Sequence, residues 1–173
     1  SSLSFNNIDS KKIYAYQNNN DIKDLVTTEL FLKKDINLSN NIISNDILIN
    51  DFHDRKMFDL IIFDLQMNMH NIIHANCCDR IKKLKIRGTK VEPLLLQLIM
   101  ISLNKNGHAI IICPDSLLFG SSTQQVETRK YLLENLCVNK IIQIDEQFYF
   151  NKGIKNSILF FENKNKTTKV DFS

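Results

Sequence analysis

The sequence is poor in the two residues that most often interrupt regular structure. It has 4 glycines and 2 prolines in 173 residues, which excludes a linker or a low-complexity chain. No signal peptide is visible, and the apolar runs are far too short to span a membrane. Hydrophobic residues make up 43%, enough for the core of one domain. The sequence therefore predicts one folded domain in an intracellular setting, cytoplasmic or nuclear, without a membrane partner.

Charge and metal-ligating residues are also limited. The net charge of +3 is too small to indicate nucleic-acid binding by itself, although residues 80–87 form a dense basic cluster that suits a solvated face or a DNA contact equally. The cysteines show no CxxC spacing, which argues against zinc and for free thiols. His70 and His74 lie four residues apart but have no evident third ligand, so no metal site is expected. The four cysteines are Cys77, Cys78, Cys113 and Cys137.

Apolar patterning alternates between strand and helix along the chain. The nearly continuous apolar run at 58–63 suits a strand buried on both faces of a parallel sheet. In the helix predicted at 125–136, periodicity places Val126 inward. The short loop through Gly153 indicates an antiparallel return between the last two strands. Strands are predicted at 12–16, 41–44, 58–63, 108–113, 140–144 and 156–161, and helices at 21–30, 92–103 and 125–136.

This alternation predicts an open α/β sheet, whose ligands bind beyond the carboxyl ends of the strands. Residues 1–162 form the predicted domain, and residues 163–173, rich in Lys, Asn and Thr, form a tail or linker.

Several strings, in order, resemble the modification subunit of type I restriction systems, an N6-adenine DNA methyltransferase family. The resemblance extends over about residues 11 to 162. It implies a Rossmann-like class I methyltransferase sheet, mostly parallel with an antiparallel C-terminal strand and with helices on both faces. The strings are EPLLLQ at 92–97, NGHAIIICPD at 106–115, LFG at 118–120, FYFNKGIKNSILFF at 148–161, KIYAYQ at 12–17 and SNDIL at 44–48.

The family's catalytic motif, [ND]PP[FYW], follows a buried strand, and here it is incomplete. The resemblance assigns Asp64 to the Asn/Asp position, which accepts hydrogen bonds from the adenine amino group. Leu65 and Gln66 replace the two prolines that fix the loop, and Met67 replaces the aromatic residue that stacks on the flipped base. Asp64 also suits a solvated loop residue or a helix cap.

The cofactor side is altered as well. The family has a Gly-rich loop after its first strand, where backbone approaches S-adenosylmethionine. The first glycine here is Gly88, so that loop either lies before residue 1 or has been lost. Gln17 stands at the position of the acidic residue that binds the ribose hydroxyls. Asp46 matches the residue that contacts the adenine amino group of the cofactor.

Three functions are consistent with these residues. The first is a catalytically degenerate domain, kept for a structural, nucleic-acid-binding or assembly role. The second is an active adenine-N6 methyltransferase with a variant motif, and the third is a purely structural subunit of a larger complex. DNA and other protein subunits are the candidate partners. The cofactor is S-adenosylmethionine if the cleft is functional and otherwise none.

Overall fold

A computed structural model describes residues 12–16, 28, 42–43, 46–50, 57–65, 72–145 and 154–173. The chain forms two compact units, Ser1–Ile47 and Leu48–Ser173. The strands are β1 (Ala15–Tyr16), β2 (Ile42–Ile43), β3 (Phe58–Asp64), β4 (Leu103–Pro114), β5 (Cys137–Ile144), β6 (Asn156–Glu162) and β7 (Asp171–Phe172). The helices are α1 (Asp79–Lys83), α2 (Val91–Ile101), α3 (Asp115–Phe119) and α4 (Thr123–Asn135).

In the first unit, β1 and β2 form a parallel pair. Ala15 lies opposite Ile42 and Tyr16 lies opposite Ile43. Both strands fall inside the predicted segments 12–16 and 41–44. The helix predicted at 21–30 lies outside the described residues, except for Thr28, which is helical.

The second unit is a five-stranded mixed sheet in the order β3-β4-β6-β5-β7. β3 pairs parallel with β4, and β5 pairs parallel with β7. β6 runs antiparallel to both of its neighbours, β4 and β5. The predicted α/β class and the antiparallel C-terminal strand are therefore confirmed. Within the described residues, no helix is both long enough and apolar enough to cross a membrane.

The core lies on one face of this sheet. Successive side chains of a strand point to opposite faces, and the alternate residues Ala109, Ile111, Leu159 and Phe161 are almost completely buried. α2 packs against β4 and α4 and is apolar on nearly all sides, as expected of a helix enclosed by other elements. Burial of apolar surface at this face supplies the main stabilisation of the second unit.

The boundary between α2 and β4 differs from the prediction. The helix ends at Ile101 and the strand begins at Leu103, whereas the sequence predicted a helix to residue 103 and a strand only from residue 108. Asn106 instead lies within β4 with a φ of 62°, a conformation that Asn tolerates better than most residues. Its N–H donates to the Asn163 carbonyl at 2.8 Å, and the Asn163 N–H donates to the Gly107 carbonyl at 2.9 Å.

Residues 163–173, which the sequence predicts as a tail or linker, run beside β5. The Thr167 hydroxyl accepts from the Val138 N–H at 2.8 Å and donates to the Leu136 carbonyl at 2.7 Å. β7 then pairs with β5 through Asp171 opposite Lys140 and Phe172 opposite Ile141. This segment therefore completes the edge of the sheet.

The buried face of α4 is largely polar. The prediction that Val126 faces inward is wrong, because Val126 is exposed whereas Gln124, Gln125 and Thr128 are buried. Buried amides are usually hydrogen-bonded, and the Gln97 amide is only half satisfied, because its Oε1 is buried without a partner. The Gln97 Nε2 of α2 donates to the Thr128 hydroxyl at 3.2 Å, and that hydroxyl donates to the Gln124 carbonyl at 2.7 Å.

Candidate functional site

The carboxyl ends of β3 and β4 lie at one edge of the five-stranded sheet, because the two strands are parallel. β3 ends at Asp64, which is exposed and lies opposite Ile112 of β4. β4 ends at Pro114, and Asp115 follows as the first residue of α3. The edge at which ligands of open α/β sheets bind therefore carries two carboxylates.

Strand pairing continues one residue beyond Asp64. The Leu65 N–H donates to the Ile112 carbonyl at 2.8 Å, and the Leu65 side chain is only 1% exposed. Proline has no N–H and cannot form this bond. Residue 65 is therefore an anchored, apolar extension of β3. Met67 lies outside the described residues.

Asp115 joins the end of β4 to the start of β6. Its Oδ1 accepts from the Ser157 hydroxyl at 2.7 Å, and its N–H donates to the Lys155 carbonyl at 2.9 Å. Burial, together with the nearby Asp115 charge, raises the pKa of the Cys113 thiol to about 12. Cys113 is therefore a protonated core residue at neutral pH and not a nucleophile. All four cysteines are free thiols.

In the first unit, the carboxyl ends of β1 and β2 also lie side by side. Burial raises the pKa of the Tyr16 hydroxyl, and the Asp46 carboxylate adds to the effect by like-charge repulsion. Asp46 is half-buried. Gln17, which directly follows Tyr16, lies outside the described residues. Asp46 and the end of β1 therefore lie close together.

Of the two histidines considered as metal ligands, His70 and His74, the structure describes only His74. His74 begins a short 3-10 helix, His74–Asn76, and its Nε2 is buried without a hydrogen-bond partner. His70 lies outside the described residues. In the part of the chain that the structure describes, no group of three or more His, Cys, Asp or Glu side chains is arranged to hold a metal.

The basic cluster at 80–87 is only partly a surface feature. Arg80 points inward, where its Nη2 donates to the Ile101 carbonyl at 2.6 Å. Lys82 forms an exposed ion pair with Asp79 at 3.3 Å. Lys83, Lys85 and Arg87 are exposed, as is Lys90 just beyond the cluster. The exposed cations are thus spread along residues 82–90.

Three polar residues of α4, Gln124, Gln125 and Arg129, hold the backbones of two neighbouring segments, and we call them the α4 clasp. Gln124 bonds to both the N–H and the carbonyl of Lys90 at 3.1 and 3.0 Å. Gln125 and Arg129 bond to carbonyls of the turn that contains α3. Hydrophobic periodicity missed these residues because it cannot identify buried amides.

The turn held by the α4 clasp exposes an aromatic side chain near the carboxyl ends of the strands. Phe119 is 64% exposed, whereas its neighbours Leu117 and Leu118 are buried. The sequence analysis included Phe119 only as part of the LFG string and gave it no role. Its exposure depends on which side of the short helix α3 packs inward, and five residues are too few for a periodic pattern to show this.

The family model described as N-6 DNA Methylase matches residues 3–172. Among solved structures, the chain is similar to the type I restriction enzyme EcoKI M protein, with a TM-score of 0.76 and 16% identity, covering 94% of this chain and 37% of that one. It is also similar to the type I restriction-modification methyltransferase subunit of Streptococcus thermophilus, with a TM-score of 0.77 and 19% identity, covering 92% and 35%.

A third similar structure is a putative class I S-adenosylmethionine-dependent methyltransferase from Listeria monocytogenes. Its TM-score is 0.57 and its identity 18%, and the match covers 88% of this chain and 54% of that one. At these identities the structural matches establish the fold. The chain spans about a third of the length of the EcoKI and Streptococcus proteins.

Proposed function

The chain belongs to the N-6 DNA methylase family, and on this premise we propose that it is a catalytically degenerate methyltransferase domain. In this proposal the fold is kept for binding nucleic acid and for contacts within a larger assembly. S-adenosylmethionine is the cofactor expected of an intact cleft, DNA is the expected nucleic acid, and other protein subunits are the expected partners.

The observation that carries the proposal is that Leu65 is buried and that its N–H is hydrogen-bonded within the sheet. Adenine N6 is a poor nucleophile, so the family motif must hold its acceptor groups rigidly against the amino group. Here the first proline position is a buried leucine whose N–H bonds to the Ile112 carbonyl. Asp64 is followed by continued strand pairing, and the motif's second proline and its aromatic residue are absent. A carboxylate remains, but the prolines and the aromatic residue that would orient it on a base are replaced.

The cofactor positions support the same proposal. Gln17 offers the ribose hydroxyls an uncharged amide, which bonds more weakly than a carboxylate. Asp46 is the one matching polar group among the described residues. Its half-buried carboxylate suits an amino-group donor of the cofactor, but it is a single contact.

Calorimetric titration with S-adenosylmethionine tests the cofactor part of this proposal. We expect a folded sample to give no saturable heat at millimolar ligand. Saturable micromolar binding that is lost in Asp46→Ala would contradict it and would mean that the cleft is retained. A matched control is Asp59→Ala, which removes an exposed carboxylate of β3.

An active methyltransferase with a variant motif is the second candidate function. The exposed position of Asp64 at the carboxyl edge of the sheet favours it, since Asp is one of the two residues that the family motif uses there. This alternative requires methyl transfer that depends on the Asp64 carboxylate.

A purely structural subunit is the third candidate, and two exposed apolar side chains of β3 favour it. Leu60 and Ile62 are 55% and 62% exposed. Exposed apolar side chains that lie close together are typical of surfaces that another chain covers. A protein that binds neither S-adenosylmethionine nor nucleic acid, but elutes with a partner subunit, would support this role.

A further inference from the structure

The five-stranded sheet has a second face, opposite the buried core, that is apolar but only partly buried. Paired residues of neighbouring strands share a face, so the strand register identifies its side chains. Leu60 and Ile62 are 55% and 62% exposed, and the apolar side chains on the inner strands are half-buried. We call this surface the second face. Its apolar members are Leu60, Ile62, Ile110, Ile112, Ile142, Ile158 and Phe160.

The side chains of the second face lie in three rows that cross the strands β3, β4, β6 and β5. The centre of this surface is apolar, and charged groups lie towards its rim. Lys140 forms an ion pair with Asp171 of β7 at 3.9 Å. The His108 Nδ1 lies 4.0 Å from the Glu162 Oε2. From the amino to the carboxyl end of β3, the rows are Leu60-His108-Glu162, Ile62-Ile110-Phe160-Lys140 and Asp64-Ile112-Ile158-Ile142.

We propose that the second face binds the second face of another copy of this chain, in a two-fold symmetric dimer. The two-fold axis would run along the strands, between β4 and β6. Sheets that pack face to face keep their strand directions nearly aligned, and a two-fold contact uses the same surface of both copies. This inference rests on the assembly role in the proposed function, and it identifies the partner as a second copy.

The inner strands of the two copies are complementary under this symmetry, which places β4 of one copy against β6 of the other. Ile110 then faces Phe160 of the second copy, and Ile112 faces Ile158. His108 faces Glu162 of the second copy, so an imidazole N–H can donate to a carboxylate on each side of the axis. The centre of the contact is therefore apolar, and the polar groups beside it find partners.

The outer strands are complementary as well, because β3 of one copy lies against β5 of the other. Lys140 of one copy faces Ile62 of the other, one row away from Asp64. Rows on one face of a sheet are about 6.8 Å apart, a distance that the long stem of lysine spans. The ammonium group can therefore pair with the exposed Asp64 carboxylate while the stem covers Ile62.

The size of the second face predicts a weak dimer. Four strands about 4.8 Å apart and three rows cover about 400 Å² per copy, roughly half the area of a typical stable interface. Apolar patches with a polar rim are typical of protein contacts, so a second copy suits this surface better than a polyanion does. Association should therefore be specific but dependent on protein concentration.

Sedimentation equilibrium of the full chain tests the dimer, at about 10 µM to 1 mM, a range suited to weak interfaces. The wild-type chain should pass from monomer to dimer and form no larger species, because a two-fold contact is closed. Ile62→Lys should weaken association by about 10-fold or more, because an apolar contact is lost twice and each new lysine faces Lys140.

The sign of the charge at position 62 tests the register of the two copies. Ile62→Glu removes the same apolar side chain, but its carboxylate faces Lys140 of the second copy. Its dissociation constant should therefore be lower than that of Ile62→Lys by about 5-fold or more, since exposed pairs of unlike and like charge differ in sign and each occurs twice. Leu60→Lys, at the second exposed position, should also weaken association.

A matched control is available on α4. Val126 is an aliphatic side chain that is 45% exposed, and it lies outside the second face. Val126→Lys should leave the monomer–dimer equilibrium unchanged. Thermal unfolding of each variant confirms that the fold is retained.

Three results would overturn the inference. A folded wild-type chain that stays monomeric at the highest concentration would show that the second face does not bind a second copy. Equal effects of Ile62→Lys and Ile62→Glu would exclude the proposed register. A comparable loss in Val126→Lys would mean that association is non-specific. The proposed loss of catalysis is tested separately, by S-adenosylmethionine titration and methyl transfer, and does not depend on any of these results.

Discussion

The end of β3 and the start of α4 use their polar groups in opposite ways. At the end of β3, Asp64 is exposed while the next residue, Leu65, is buried and continues the strand pairing. At the start of α4, the buried amides Gln124 and Gln125 bond to the backbones of two other segments. The start of α4 therefore fixes neighbouring backbone through buried polar side chains, whereas the position after Asp64 is fixed through its own backbone N–H and a buried apolar side chain.

The largest effect should come from introducing the family's proline at position 65. Leu65→Ala should lower the free energy of unfolding by about 2–5 kcal/mol, as for other buried leucines. Leu65→Pro should cost about 1 kcal/mol more, because it also removes the hydrogen bond to Ile112. Urea denaturation of the two variants measures the difference. Equal stabilities would mean that the N–H bond of residue 65 does not contribute.

A smaller decrease in the free energy of unfolding is expected when the hydrogen bonds of the α4 clasp are removed. Arg129→Ala removes the donors to the Leu117 and Gly120 carbonyls, and unpaired, part-buried acceptors should cost about 1–3 kcal/mol. Arg129→Lys should retain part of this stability. Glu127→Ala, an exposed change on the same helix, serves as the control and should stay within about 0.5 kcal/mol. Equal unfolding midpoints for Arg129→Ala and the control would show that the α4 clasp does not hold the turn.

The buried thiol of Cys113 should make the free energy of unfolding depend on pH, by about 1 kcal/mol. The pKa of Cys113 is raised to about 12 from 9.0, so above pH 9 the unfolded chain loses a proton that the folded chain keeps. Stability should therefore fall as pH rises from 9 towards 12, by about 1 kcal/mol at pH 10. The comparison is with Cys113→Ala, which should show a shallower decline. If stability declined equally with pH in the two proteins, the raised pKa of Cys113 would not be the cause.

The smallest effect is expected at the motif residue itself. Asp64→Ala removes an exposed carboxylate, so the free energy of unfolding should change by no more than about 0.5 kcal/mol. A loss of several kcal/mol would instead make Asp64 a structural residue and would remove the contrast with the α4 clasp. Unfolding by urea, at the same pH as the Leu65 variants, is the appropriate measurement.

The fold could be predicted where local patterns decide it. The apolar runs at 58–63 and 108–113 both lie within strands of the sheet, because a short continuous apolar run bounded by polar residues favours a strand. The prediction that 58–63 is buried on both faces is wrong, since Leu60 and Ile62 are 55% and 62% exposed. The start of β4 could not be predicted in the same way. Asn106-Gly107 has the sequence of a turn, but pairing with Asn163 keeps these residues in the strand.

The candidate site was predictable only in outline. Asp64 follows an obvious strand, so its position at the carboxyl edge was expected. The hydrogen bond of Leu65 was not, since it depends on Ile112, far along the chain. The role of Gln124 was hidden for a related reason, because a buried amide gives no hydrophobic signal and its partner at Lys90 is brought near only by the fold.

Transfer of a labelled methyl group from S-adenosylmethionine to adenine-containing DNA tests the central claim most directly. The wild-type chain, Asp64→Ala and Asp64→Asn are assayed in parallel, since the family motif accepts either Asp or Asn. Degenerate catalysis predicts that all three give the same background. Transfer by the wild-type chain that survives in Asp64→Asn and disappears in Asp64→Ala would contradict the account and establish an active enzyme.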